Sequence, residues 1–476
     1  MKKLRAFLIP AAALLIGSAS AAGQTTLSLE QCLSIALSDN PTVKIADLEI
    51  KRADYSKKET LGQLLPSVSF GFNYNRMLAK QVAYMNMDGF GGLGGGDNDD
   101  AAGGDGSDET LSRASSKKDT GIKMGLDNSY STGFSASLPL IAPQLWQSLK
   151  LSDSQILVNI EQARSSKLDL VNQVKSAYYA LLLANDSKKV IQESYDMAAL
   201  TYDIYSKQYA AGAASDYDVL RTSVAMKNVE PELLQADIAI KQARLQLAIL
   251  MGVDASFEFT PTSTLSDYEA DMYGKTLAID DDYSANPSLA LNRIQTDIAN
   301  KTVTLRKAAF YPTVALTANY NWTSSSNGNP LRNFRWNPYS MIGLTVSFPL
   351  FEGGARYNAV RQAKVQAQEM VLQRENLERS IASQVSLAID NIKVNVKQIA
   401  SCSESVGQAD RAHNIMEKSF AIGAASYLDL RDSELALTRA RLAYNQAIYN
   451  YLIANSELEL LLGNAPIDDY KLTENN

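Results

Sequence analysis

Histidine occurs once in these 476 residues and cysteine twice, and that scarcity excludes most site chemistry. Cys32 and Cys402 stand 370 residues apart, which is no disulfide framework, and with His413 alone beside them no metal-ligand set is spelled out. No Ser/His/Asp or Cys/His arrangement offers a nucleophile with its base, so the sequence reads as a non-enzyme without cofactor or metal. Clusters of lysine and arginine are missing as well. With 52 acidic against 45 basic residues the formal charge is −7, which argues against nucleic acid or anionic lipid as partner. Beyond the first twenty or so residues no long apolar run survives without charges. Any crossing of a membrane must therefore be made by strands closed into a barrel.

What is present begins with Lys2, Lys3 and Arg5, an apolar run from Ala6 to Ile16, and Ala19-Ser20-Ala21. This is the pattern of a secretory signal peptide, assigned to residues 1–21. The rest of the chain states one pattern twice. Asn40-Pro41 recurs as Asn286-Pro287, Pro66 as Pro312, and Asn73-Tyr74-Asn75 as Asn319-Tyr320-Asn321, all 246 residues on. Gly133–Leu140 recurs as Gly343–Leu350 at an offset of 210. Gly212-Ala213-Ala214-Ser215 returns as Gly423-Ala424-Ala425-Ser426, and Leu250-Met251-Gly252 as Leu461-Leu462-Gly463, at 211. These landmarks divide the chain into a first repeat at 27–252, a linker at 253–285 in an equatorial position, a second repeat at 286–463 and a tail at 464–476. The repeats differ by 36 extra residues in the first, a Gly-, Asp- and Ser-rich stretch at about 79–125. That composition cannot bury enough apolar surface to order itself and belongs on an exposed loop. Within it Gly103-Gly104-Asp105-Gly106-Ser107-Asp108 resembles the start of a calcium-binding repeat, but a single copy lacks the stacked neighbours such sites need.

Period-two alternation flanks that loop and its counterpart. Val68, Phe70, Phe72 and Tyr74 alternate with small or polar residues, as do Phe134, Ala136 and Leu138. The second repeat has Val314, Leu316, Ala318, Tyr320 and Trp322, then Ile342, Leu344, Val346 and Phe348. Runs of about 9–11 residues suit tilted strands across a bilayer. Tyr320, Trp322, Trp336 and Tyr339 gather at the ends of one pair, where interface aromatics would sit. Pro66, Pro139, Pro312 and Pro349 are expected at strand–helix junctions. From Pro139 to Gly212 and from Pro349 to Gly423 the spacing leaves room for one helix of about 65 residues, ~100 Å long. A heptad seam supports it, running from Leu170 to Tyr209 and again from Ile381 to Phe420, with only Lys188, Asn395 and His413 clearly polar. Shorter helices on either side should stack end to end along it, the first return helix kinked at Pro231. Four strands cannot close a barrel, so several copies must combine; three would give twelve strands and a lumen. A soluble periplasmic coiled-coil adaptor or structural protein is the rival reading, and it leaves the matched strand pairs unexplained.

With these landmarks in order, the chain resembles the TolC-type outer-membrane efflux protein family. The resemblance rests on the tandem repeat, on Pro349-Leu350-Phe351-Glu352-Gly353-Gly354 ending a strand, and on two tip motifs. These read Tyr209-Ala210-Ala211-Gly212 with Asp218-Val219-Leu220, and Phe420-Ala421-Ile422-Gly423 with Asp429-Leu430. It implies a mixed α+β membrane protein: a homotrimeric 12-stranded outer-membrane β-barrel, four strands per chain, continuous with a periplasmic α-helical coiled-coil barrel. It implies an exit duct for efflux or type I secretion, bounded by outer-membrane lipid and docked to a periplasmic adaptor (membrane fusion) protein and, through it, to an inner-membrane pump. Asp429, Asp432, Asp218 and Phe420 correspond to the periplasmic gate, where like charges gathered around one axis would raise some carboxyl pKa values. Tyr209, Gly212, Ala213, Ala214, Ser215, Gly423, Ala424, Ala425 and Ser426 correspond to the hairpin tips that meet the adaptor. Ala425 stands where some members carry an arginine that holds the mouth closed; Arg221 and Arg431 are the candidates to replace it.

Overall fold

The computed structural model describes residues 25–83, 122–269, 272, 281–327, 329 and 335–464. The signal peptide, nearly all of the Gly/Asp-rich loop with its Gly103–Asp108 segment, and the tail past 464 lie outside the described residues. In chain order the elements of the first half are β1 (Thr25–Leu27), α1 (Leu29–Asp39), α2 (Pro41–Gly62), β2 (Ser67–Arg76), β3 (Gln81–Ala83), β4 (Ile122–Met124), β5 (Asn128–Ile141), α3 (Pro143–Ala210) and α4 (Asp216–Met251). There follow β6 (Phe259–Pro261), a 3-10 turn (Leu265–Tyr268), α5 (Pro287–Ala308), β7 (Thr313–Ser326), β8 (Asn337–Ser347), α6 (Ala355–Ala421) and α7 (Tyr427–Leu462). The described residues fall into two compact units, one drawn from 57–150 and 303–361, the other from 25–56, 151–302 and 362–464.

The first unit is built on an antiparallel sheet in the order β2-β5-β7-β8, which leaves β2 and β8 as its edges. Register sorts the alternating residues onto two unlike faces. Phe70 pairs with Phe134 and Phe134 with Tyr320, while Val68, Ala136, Ala318 and Ile342 form the next apolar row. Phe70 and Phe134 have ring centroids 5.1 Å apart. The rows between are Ser69, Ser135 and Asn319, then Gly71, Gly133 and Asn321. A side chain at Gly133 would collide with the Tyr320 carbonyl, so this row packs closely because it is small. The apolar face is uncovered: Val68 is 69% exposed, Phe70 62%, Ile342 79% and Leu344 61%. A soluble two-layer sheet would bury such a face.

Several expectations need correcting. Pro139 lies inside β5 and not at its end; the register shifts between Pro139 and Ile141, so the strand absorbs the proline in a bulge. Two strands, β5 and β7, have 14 residues, longer than the pattern suggested. Tyr339 pairs with Asn321, on the face opposite Tyr320 and Trp322, and accepts a 3.2 Å hydrogen bond from its amide. The margins of the long loop are not structureless either, for β3 and β4 pair antiparallel there.

Helices α3 and α6 have 68 and 67 residues, most of each in the second unit, and α4 and α7, wholly within it, have 36 each. Helix α4 continues through Pro231 as a single element. Among the described residues no helix is long and apolar enough to cross a membrane. The three polar seam residues all find partners on the return helix of their own hairpin. Lys188 pairs with Asp237 at 2.6 Å, the Asn395 amide donates to Asn450 O at 3.3 Å, and His413 Nδ1 lies 3.3 Å from Ser433 Oγ. Polar seam residues of this kind fix the register of a helix pair. Cys402 is half-buried against the apolar core, as a small packed side chain.

Where a return helix meets the next short helix, an asparagine clasps both ends. The Asn40 amide donates to Leu250 O at 2.7 Å while its Oδ1 accepts from Thr42 N at 2.7 Å. Asn286 repeats this with Leu461 O at 2.7 Å and Ser288 N at 2.9 Å. The glycines that follow, Gly252 and Gly463, both adopt φ 72°, where a side chain is strained. A Cβ on Gly252 would lie 3.0 Å from Asp39 O, and one on Gly463 would overlap Ala285 O. The linker is anchored, not merely crossing. Strand β6 pairs in parallel with β1, Leu265 N donates to Asp186 at 2.9 Å, and Phe259, Leu265 and Met272 are almost fully buried.

Candidate functional site

Each long helix ends by the same device. Past Ala210, Gly212 takes φ 75° and the Ala213 N–H reaches back to Gln208 O at 2.8 Å; past Ala421, Gly423 takes φ 73° and Ala424 N–H reaches Ser419 O at 2.8 Å. These are glycine-closed C-termini that satisfy otherwise orphaned carbonyls. The return helices open with matching capping boxes. Ser215 Oγ accepts from Asp218 N at 3.2 Å, and Asp218 Oδ2 accepts from Ser215 Oγ at 2.7 Å and from Ser215 N at 3.4 Å. The Ser426–Asp429 pair repeats the three bonds at 3.3, 2.7 and 3.1 Å. The serines are thus the N-caps, and the aspartates are the third-position partners that reach back to them. Hydrogen bonds from Ser215 and Ser426 hold the carboxyls of Asp218 and Asp429 below the usual range. Within one subunit the shift is downward, opposite to the crowding expected at a ring of acids.

The residues assigned to the tips sit in and beside the two turns that join the long helices to their return helices. Gly212, Ala213, Ser215, Gly423, Ala424 and Ser426 are exposed, Tyr209 is 49% exposed, and Ala214 and Ala425 are half-buried. Asp429 and Asp432 are both exposed near the start of α7. Phe420 is half-buried, its ring centroid 6.3 Å from that of Tyr205.

Arg221, one of the two candidates for the missing arginine, joins the two hairpins together with residues the sequence had not singled out. Tyr205 of α3 meets Tyr427 of α7 edge-on at 5.8 Å. Arg221 of α4 places its guanidinium 4.5 Å from the centre of the Tyr427 ring and 3.4 Å from Asp218. Arg221 therefore spans from one tip to the other, whereas Arg431 turns inward and pairs with Glu434 at 3.2 Å. Glu434 is 4% exposed, and burial pushes its carboxyl above the ordinary range despite Arg431. Ser433 Oγ donates to Leu430 O at 2.6 Å and is thereby left to accept from His413 Nδ1. Farther along, Arg441 of α7 reaches Glu193 of α3 at 2.5 Å and Asp410 of α6 at 3.4 Å. In the sequence the only signal for these ties is the unlike residue at equivalent repeat positions. Among the described residues, no group of three or more His, Cys, Asp or Glu side chains is placed to hold a metal ion.

Comparison with known proteins agrees with this architecture. Residues 32–253 and 279–464 match the family model described as outer membrane efflux protein. The chain is 26% identical over 359 residues to the alkaline protease secretion protein AprF of Pseudomonas aeruginosa, covering 73% of each. It is 22% identical over 366 residues to the outer membrane protein TolC of Escherichia coli, covering 72% of this chain and 74% of that one. Among solved structures, the outer membrane protein VceC of Vibrio cholerae matches with a TM-score of 0.65 at 17% identity, over 91% of this chain and 96% of that one. The two matched segments follow the two repeats and together take in most of the sequence, and the chain belongs to the outer membrane efflux protein family.

Proposed function

We propose that three copies of this outer-membrane channel subunit close a twelve-stranded barrel and a shared helical tunnel, forming the trans-periplasmic exit duct of an efflux or type I secretion system. The observation that carries this reading is the sheet of β2, β5, β7 and β8, with one apolar face uncovered and two open edges. Lipid satisfies the face, and only another copy satisfies the edges, because unpaired strand edges are not viable in hydrocarbon. The helices support the same reading. On α4 the side chains of Tyr217, Leu220, Val224, Leu234 and Ile238 are 57–69% exposed at heptad spacing. On α6 Leu387, Val394 and Ile415, separated by multiples of seven, are 59–61% exposed. Such stripes are seams awaiting a second copy.

In this reading Asp429, Asp432, Asp218 and Phe420 line the periplasmic gate. The exposed tip residues from Tyr209 to Ser215 and from Gly423 to Ser426 meet a periplasmic adaptor, which links the duct to an inner-membrane pump. The protein's work is conduction, and no cofactor enters it. The test is assembly and conductance together: in detergent the protein should run at about three copies, and in planar bilayers it should pass ions. A monomer soluble without detergent would overturn the proposal.

A further inference from the structure

Between the last turns of α3 and the tip of the second hairpin lies a cavity of about 710 Å³. That is within the range of small-molecule sites. Its walls hold the rings of Tyr205, Phe420 and Tyr427. Its acidic lining residues are Glu417 and Glu434, and no lysine or arginine lines it. Tyr427 carries the Arg221 guanidinium 4.5 Å from its ring centre, and Arg221 is not part of the lining, so a bound cation has Glu417 as its partner and not the Tyr427 ring face.

We propose that this cavity binds a lipophilic organic cation, its apolar body among the three rings and its charge held by Glu417. This rests on the walls of the cavity alone and not on the export reading. The two acids have different parts. Arg431 neutralises Glu434 at 3.2 Å, so Glu434 offers a buried acceptor with little net charge. Glu417 is exposed at the rim and supplies the net negative charge. An organic anion of the same shape would meet Glu417 as a like charge and the negative faces of the rings. A neutral molecule would gain nothing from Glu417.

The test uses the full-length protein in detergent with two probes of one shape and opposite charge, tetraphenylphosphonium and tetraphenylborate, in equilibrium dialysis. Tetraphenylphosphonium should bind saturably, and Glu417→Gln should weaken it about three- to fivefold, the scale of a rim charge. Ala425→Phe, which fills the cavity from its wall, should abolish saturable binding. Tetraphenylborate should partition without saturating. Equal saturable binding of both probes, or undiminished phosphonium binding in Ala425→Phe, would overturn the proposal. So would the absence of saturable phosphonium binding to the unaltered protein.

Discussion

The two hairpins of this chain are nearly superimposable in plan, with return helices of 36 residues each, the same glycine turn and the same serine–aspartate box. Their chemistry differs. Where the second hairpin has His413, Arg431 and Glu434, the positions 211 earlier hold Tyr202, Leu220 and Ser223; where it has Asp432, the first has Arg221. The backbone plan tolerates either set because capping and turn geometry are settled by five or six residues at each tip. The remaining positions are free to diverge. The second hairpin uses that freedom for a buried charged cluster, and the first uses it for a cation that reaches across to its neighbour.

The largest way to break this contrast is Arg431→Met, which strands the Glu434 carboxylate in a buried site and should cost about 3 kcal/mol. The matching change Leu220→Met in the first hairpin should cost under about 1.5 kcal/mol. Denaturant unfolding of both variants measures the difference, and equal losses would mean that Glu434 draws nothing from Arg431.

The glycines give the next contrast. Gly463 and Gly423 share a positive φ, but only Gly463 is crowded, against Ala285 O; nothing lies within 4 Å of a Cβ on Gly423. Gly423→Ala should cost only the backbone strain of about 1–2 kcal/mol. Gly463→Ala adds an overlap and should lose clearly more, seen as a lower melting temperature. Equal shifts would show that the joint gives way without penalty.

Smaller still are the caps. Ser215→Ala and Ser426→Ala should each cost about 1 kcal/mol and by the same amount, since their hydrogen bonds match. Hydrogen exchange at the first turns of α4 and α7 reads this directly. The same amides carry a pH signature. Asp218 and Asp429 are held below their ordinary range, so their contribution is complete above about pH 3.9 and is lost as pH falls through the folded values. Glu434, pushed up by burial, has the opposite sign: acid relieves the cost of keeping it charged. Acidification should therefore loosen the cap of α7 while easing the packing one turn further in. Parallel loss at both places would refute the assignment.

The least expected change in stability comes from Asp432→Ala, because Asp432 is exposed. In planar bilayers, however, Asp432→Ala combined with Asp429→Ala should weaken cation preference and block by multivalent cations. Unchanged selectivity would move the gate elsewhere.

Much of this architecture was legible because proline and glycine punctuate a chain for steric reasons. Counting between them gave about 65 residues for helices that have 68 and 67. Pro139 misled for a related reason: a bulge lets a strand keep a proline, and period-two alternation does not register a bulge. Asn40 and Asn286 stood out as repeat landmarks, but their work joins residues 210 and 175 positions apart, and no local pattern encodes that. The linker's Phe259, Leu265 and Met272 were equally silent, since isolated apolar residues have no period. At the tips the glycines were readable by repeat spacing, and the aspartates through the family resemblance. The Arg221–Tyr427 contact was not, because it depends on how two separate hairpins meet.

The unpaired edges β2 and β8 have a genetic consequence. In the proposed trimer every subunit supplies one edge and receives another, so a defect on either is inherited by the whole ring. A subunit with proline in the middle of β8 would still enter mixed assemblies through its helices and spoil them. Expressed at equal levels beside the normal chain, it would leave only about one ring in eight wholly normal under random threefold assembly. Such an allele should behave as dominant, whereas an allele that prevents the chain from folding at all should behave as recessive.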